Sequence, residues 1–196
     1  GAVVTLRDET QPLPEAVHET VEYGVLASRL DPVDPMELAF RRLGEKWLPA
    51  TEHWHENWEL CREYPLAADF LAVTQVWLDD AGRKVVACKG APEAVLAACS
   101  LTEDERQEIQ AAAERMADDG MRLLAIANAL WEEKELPELA KNFTLTFVGL
   151  VGLHDPLRSG VPEAVAQCRQ AGVRVIMMTC DYAGTARNIA LQAGLA

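Results

Sequence analysis

The stretch from Val148 to Gly194 constrains the fold most. It opens with an apolar run, Val148-Gly149-Leu150-Val151-Gly152-Leu153, that leads into His154-Asp155-Pro156-Leu157-Arg158. A helical pattern follows, then a second apolar run, Val173-Arg174-Val175-Ile176-Met177-Met178, ending in Thr179-Cys180-Asp181, then another helical pattern. Strands of a parallel sheet are buried on both faces and read as continuous apolar runs, so this cadence predicts a βαβ unit. Ligands of such sheets lie beyond the carboxyl ends of the strands. Asp155 and Arg158 follow the first predicted strand, and Thr179 and Asp181 the second. A lone βαβ unit gives its strands too few neighbours, so the chain is expected to be a piece of a larger protein.

The preceding residues follow a different pattern. Residues 1–8 read as an edge strand or an entering linker. A helix is expected from Pro14, with Val17, Val21, Val25 and Leu26 on its apolar stripe. Asp31-Pro32-Val33-Asp34-Pro35 breaks the chain, after which Asp34 is an N-cap, Pro35 the first helical residue and Glu37 three positions past the cap. Phe40 and Leu43 lie on the buried stripe of this second helix. Strands are predicted over 58–66, 70–77 and 83–88, the last two joined by the turn Asp79-Asp80-Ala81-Gly82. A short helix over 92–99 precedes a longer one, capped by Thr102 and stopped by Gly120. Strands over 122–130 and 144–153 flank a charged loop. The expected fold class is an α+β domain, antiparallel sheet with helices, over 1–146, followed by a partial α/β domain over 147–196.

Composition bounds the partners. With 49% hydrophobic and 25% charged residues the chain is globular. A formal net charge of -13 argues against nonspecific binding to nucleic acid and against direct contact with an anionic membrane surface. The five cysteines include no C-x-x-C pair, which fits free thiols in a reducing compartment. No signal peptide and no run of about 20 apolar residues is visible, so the chain is expected to be soluble.

Lys89-Gly90-Ala91-Pro92-Glu93 is the sharpest local feature of the first region. A strand brings a lysine to a tight glycine turn, and Pro92 and Glu93 open a helix beside it. That places a cation near a helix N-terminus, suited to an anionic or polar ligand. The plain alternative is a strand-to-helix junction with a solvated lysine. It is not a Walker A loop, and no Gly-x-Gly-x-x-Gly loop occurs elsewhere. Asp155, Arg158, Thr179 and Asp181 suit Mg²⁺ or phosphate chemistry, or else cap turns and pair with one another. His53 and His55, two apart among tryptophans, lack an evident third ligand and read as surface or packing residues. Aromatic and basic residues are not interleaved as in a base-stacking surface.

Four segments in order resemble the P-type cation-transporting ATPases: Asp34 to Phe40, Lys89 to Glu93, Gly120 to Ala127, and Gly149 to Gly194. The Lys-Gly-Ala-Pro-Glu form is similar to the calcium and sodium/potassium branches. The resemblance implies a cytosolic nucleotide-binding domain over 1–146, inserted in a haloacid-dehalogenase-like phosphorylation domain that is partly present over 147–196. It implies ATP as ligand, with Glu37, Lys89 and Arg122 lining the pocket. Lys89 would lie beside the adenine and Arg122 towards the phosphates. Asp155 and Arg158 would organise nucleotide and the domain interface, while Thr179 and Asp181 would support the phosphorylated aspartate. The parent would couple Mg²⁺-dependent ATP hydrolysis, through an aspartyl-phosphate, to cation transport across the membrane. Its remaining phosphorylation domain, actuator domain and membrane helices would be this region's partners.

Three features depart from the family pattern. The adenine-stacking Phe of a Phe-Ser-x-x-Arg-Lys motif corresponds to Ala68, with Tyr64 or Phe70 as substitutes, and the basic pair is missing. Cys180 stands where the family has Gly. The Asp-Lys-Thr-Gly-Thr and Gly-Asp-Gly-x-Asn-Asp segments are expected outside this sequence. A non-catalytic regulatory or protein-interaction fragment of the same ancestry is the alternative reading. A free-standing dehalogenase-like phosphatase is disfavoured, because Asp8-Glu9 is no Asp-x-Asp nucleophile motif.

Overall fold

The computed structural model describes residues 4–6, 12–154, 156–179 and 181–195. They fall into two units, residues 1–102 with 124–151 and residues 103–123 with 152–196. The first unit opens on helices α1 (His18–Leu26) and α2 (Pro35–Trp47). Asp34 caps α2 as its sequence predicts, its carboxylate accepting the Met36 N–H at 2.8 Å. Strands β1 (Glu59–Tyr64), β2 (Ala72–Leu78) and β3 (Lys84–Gly90) follow, then α3 (Pro92–Ala98). After α4 (Glu103–Asp118), which belongs to the second unit, come β4 (Arg122–Trp131) and β5 (Thr146–Leu153). The five strands form one sheet in sequential order, antiparallel from β1 to β4. The α+β class with an antiparallel sheet is thus as expected.

Alternation along the strands divides the buried residues between two faces. Val86 and Cys88 of β3 join Val76, Ala125, Ala127, Val95, Phe143 and Leu145 in the larger core. Ala87, between them, turns to the other face and packs with Leu26, Ala27 and Trp77. The Trp77 indole N–H donates to the Leu26 carbonyl at 2.8 Å, which fastens the end of α1 to the sheet. That carbonyl belongs to the last turn of a helix, where intrahelical partners run out.

The β2–β3 hairpin is held by one carboxylate. Asp79 accepts from the Ala81 N–H at 3.0 Å, the Arg83 N–H at 2.7 Å and the Arg83 Nε–H at 2.7 Å. Gly82 supplies the left-handed residue of the loop, with φ at +75°. The Arg83 N–H, followed by the guanidinium and the Ala81 N–H, lowers the Asp79 pKa below its ordinary value, against the opposing effect of burial. A depressed carboxylate pKa contributes stability above the unfolded-state value and loses it as pH falls through the folded-state value. An NMR titration of the Asp79 carboxyl carbon is therefore expected to give a midpoint below about 3.9, the model-peptide value. A midpoint at or above it would contradict this account of the turn.

The second unit contains α4, α5 (Val161–Gln170) and α6 (Ala183–Gln192). Small residues let α4 and α6 meet: a Cβ on Gly184 would stand 2.9 Å from the Ala117 Cβ. The buried Thr185 hydroxyl donates to the Met121 carbonyl at 2.6 Å, and the Asn188 amide to the Asp118 carbonyl at 2.6 Å. Gly120 ends α4 at φ +78°, with Gly120 N–H bonded to Ala117 O and Met121 N–H to Met116 O. This is the Schellman pairing, which satisfies carbonyls the helix leaves open. Gly172 and Gly194 end α5 and α6 with the same pairing.

Two expectations are corrected. The strand predicted across Val173 to Thr179 does not form, and Val173, Ile176 and Met178 are 54%, 66% and 91% exposed. A strand needs a partner ladder, and no strand among the described residues pairs with this segment. The edge strand considered for residues 1–8 is absent from residues 4–6, and its remainder lies outside the described residues.

Candidate functional site

The expected site around Lys89 is built differently from its sequence reading. Gly90 is the last residue of β3, opposite Ala72 and Ala125, and makes no tight turn. Its φ is not positive. It must be glycine because an added Cβ would overlap the Ala72 Cα and the Leu71 carbonyl oxygen. Lys89, one residue earlier, points to the opposite face from Cys88 and reaches Ser28, just past the end of α1, and Glu37 of α2. Nor is it a solvated lysine, since it is 5% exposed.

The Lys89 ammonium donates to the Ser28 hydroxyl and to Glu37 Oε1, the latter at 3.1 Å. It also lies 5.4 Å from the centroid of the Phe40 ring, within range of a cation–π contact. An ammonium has three donors, and two of them are taken by these oxygens. Burial lowers the Lys89 pKa from the ordinary lysine value, while the Glu37 carboxylate and, less strongly, Asp34 oppose that shift. The Glu37 carboxylate of α2 and the Lys89 ammonium of β3 form an ion pair. Below the ammonium, Phe40 packs where a Cβ on Gly24 would overlap its ring. Gly24, Ser28, Glu37, Phe40 and Lys89 therefore form one buried polar site between α1, α2 and β3.

Arg122, Thr179 and Asp181 come together in the second unit. Arg122 Nε lies 3.2 Å from Asp181 Oδ1, and the Thr179 hydroxyl donates to Asp181 Oδ2 at 2.7 Å. The Arg122 side chain is 49% exposed, so the ion pair is worth little as stability. Arg158 is exposed, and its carbonyl accepts the Val161 N–H at 3.2 Å. Asp155 and Cys180 lie outside the described residues. Both Asp181 oxygens already face donors, and among the described residues no three His, Cys, Asp or Glu are arranged to hold a metal. Among the described residues, then, no Mg²⁺ cage is formed.

The aromatic substitutes for the missing stacking residue are not free to act. Tyr64 and Phe70 are 6% and 8% exposed and belong to the larger core. The Tyr64 hydroxyl donates to the Pro137 carbonyl at 2.6 Å, and its ring meets Phe143 edge-on. Ala68 is exposed. The histidines hold a different surprise. The Glu22 carboxylate, on α1, is 2.6 Å from His53 Nδ1 through one oxygen and 2.6 Å from His55 Nε2 through the other. His55 also stacks on Trp58 at 3.6 Å. Reading the histidines alone missed this tie because its carboxylate lies more than thirty residues upstream. The only signal was a glutamate adjoining the apolar stripe of α1.

Residues 32–160 match the family model for the P-type ATPase cytoplasmic domain N. The chain therefore belongs to the P-type cation-transporting ATPase family. It is 33% identical over 172 residues to the sodium/potassium exporting P-type ATPase cta3 of Schizosaccharomyces pombe, covering 83% of this chain and 17% of that protein. It is 29% identical over 175 residues to calcium-transporting ATPase 1 of Bacillus cereus, covering 83% of this chain and 19% of that protein. The chain thus spans less than a fifth of the length of these relatives. No helix among the described residues is long and apolar enough to cross a membrane.

Proposed function

We propose that this chain binds ATP as the cytoplasmic nucleotide-binding region of a P-type cation-transporting ATPase. The observation that carries this reading is the Lys89 ammonium, buried between Glu37, Ser28 and Phe40 in a chain of that family. A buried cation with a carboxylate and an aromatic beside it offers both donors and acceptors to a heterocyclic base. Glu37 and Lys89 are assigned to the nucleotide. Arg122, Asp155 and Arg158 keep the nucleotide-side roles that the family resemblance implies, and Thr179 and Asp181 the supporting role near the phosphorylated aspartate. The region over 1–146 is the nucleotide-binding domain and 147–196 part of a haloacid-dehalogenase-like phosphorylation domain. In the parent enzyme, on the cytoplasmic side of its membrane, hydrolysis through an aspartyl-phosphate drives cation transport, with the actuator domain, the remaining phosphorylation domain and the membrane helices as partners. Mg²⁺ enters with ATP in that enzyme.

One observation favours a second reading, a regulatory or protein-interaction region of the same ancestry. No aromatic stands at exposed Ala68, and both neighbouring aromatics are spent in the core. Loss of a stacked ring removes about 1 kcal/mol beyond area burial, which weakens binding several-fold. Amide NMR during ATP and GTP titrations separates the readings. Saturable ATP shifts centred on Glu37 and Lys89, weaker with GTP and lost in Lys89→Ala, are expected. An absence of shifts at millimolar ATP would sink the nucleotide reading and leave the interaction one.

A further inference from the structure

We infer that Ser28 is a positioning residue for this site: its hydroxyl, fixed by the Gly24 carbonyl, holds the Lys89 ammonium between α1 and α2. The inference rests on the nucleotide reading above for its functional consequence, though not for the tie itself. The geometry begins at the end of α1. The Ser28 N–H turns to the Val25 carbonyl at 2.8 Å, a tightened last turn, leaving the Gly24 carbonyl to the Ser28 hydroxyl, also at 2.8 Å. Such back-bonding to the carbonyl four residues earlier uses the hydroxyl's one hydrogen. Its lone pairs are then left to accept, and the Lys89 ammonium donates to them. Ser28 is 4% exposed and Lys89 5%, so water does not compete at this contact.

Each element is itself fixed. Leu26, two residues before Ser28, is fastened to the sheet through the Trp77 indole. Gly24 lies against the Phe40 ring, and Glu37, in the first turn of the same helix, takes the ammonium's other bond. A lysine side chain is long and flexible, and its buried ammonium is aimed by whatever accepts from it. Glu37 alone leaves it free to swing with a carboxylate that is 14% exposed. Ser28 supplies the second, rigid point. Without it the ammonium loses its orientation toward a bound base, although no atom of Ser28 need touch that base.

The test reads Lys89 directly. Competitive acetylation of Lys89 in the whole chain is followed by mass spectrometry for the parent and for Ser28→Ala and Ser28→Thr, and each is titrated with ATP. Ser28→Ala is expected to raise the Lys89 labelling rate several-fold and to weaken ATP binding about five-fold, the scale of one hydrogen bond. Ser28→Thr, which keeps the hydroxyl, is expected to restore both. A purely structural role would lower stability without changing labelling of this one lysine relative to Lys84 and Lys141. Should the alanine variant not fold, Ser28→Cys, of similar volume but a poorer acceptor, is read in the same way. Unchanged Lys89 labelling overturns the tie. Raised labelling with unchanged ATP affinity overturns the role in the site. If the parent chain itself fails to bind ATP, the nucleotide reading falls and the site role with it, while labelling still decides whether Ser28 holds Lys89.

Discussion

Gly90→Ala is expected to destabilise the chain by about 2–3 kcal/mol, read as a lowered urea midpoint with unchanged slope. Glycine inside a strand ordinarily costs about 0.5–1 kcal/mol relative to alanine, so a substitution with open space would stabilise. Here the space is closed. The added Cβ would overlap the Ala72 Cα and the Leu71 carbonyl oxygen, both backbone atoms of the adjoining chain. Side chains yield by changing rotamer, but a paired backbone yields only by breaking its ladder. Ala72 is the register partner of Gly90, and the Leu71 carbonyl also accepts the Ala91 N–H at 2.9 Å. Opening that corner shifts the start of α3 and the residue next to Lys89 together. Equal or greater stability of the variant would show that the close approach does not exist.

Lys89→Met is expected to cost about 3 kcal/mol, the low end of the range for removing one partner of a buried pair. Methionine keeps the apolar stem but leaves the Glu37 carboxylate without its counter-charge and the Ser28 hydroxyl without its donor. The low end applies because Glu37, 14% exposed, can turn toward water. Adding Glu37→Gln is expected to recover part of the loss, so the double variant should be less unstable than the sum of the singles. Full additivity in urea unfolding would mean the two side chains are not coupled. The pH dependence gives a further check on the same variant. Burial holds the Lys89 pKa below the ordinary lysine value, so on raising pH the folded state releases this proton before the unfolded state does. Stability therefore rises with pH just below the ordinary lysine range, and Lys89→Met removes that rise.

Local signals carried much of this fold. Asp34-Pro35 announces the start of α2 through chemistry confined to a few residues, and the cap forms as expected. Gly120 stops α4 for an equally local reason. The Val173 to Thr179 run misled because an apolar β-branched segment reports a tendency to be buried in a sheet, and pairing depends on strands elsewhere. Lys89-Gly90 misled in another way. Glycine next to a strand end has two uses, a left-handed turn or a close lateral approach, and only the neighbour Ala72 decides between them. Of the residues that hold Lys89, Glu37 was legible as the third position past the Asp34 cap and Phe40 as a core position, whereas Ser28, two residues beyond α1, carried no signal of its own. Their convergence was not legible, because it depends on how α1 and α2 cross β3. The same holds for Glu22, whose partners are supplied by a loop that carries no regular pattern.

That loop alters what α2 can do. The helix is anchored in its first turn by Glu37 at Lys89. At mid-length Phe40 sits against Gly24, and a Cβ on Gly44 would lie 2.8 Å from Val25 Cγ2. Beyond its far end, His53 and His55 return the chain to Glu22 on α1. A rod pinned at the start, the middle and the end has no pivot. It cannot swing out as a lid or slide along its axis without releasing at least one of those anchors. Adaptation of this site to a ligand then falls first to side chains, Glu37 being the more exposed of the charged pair.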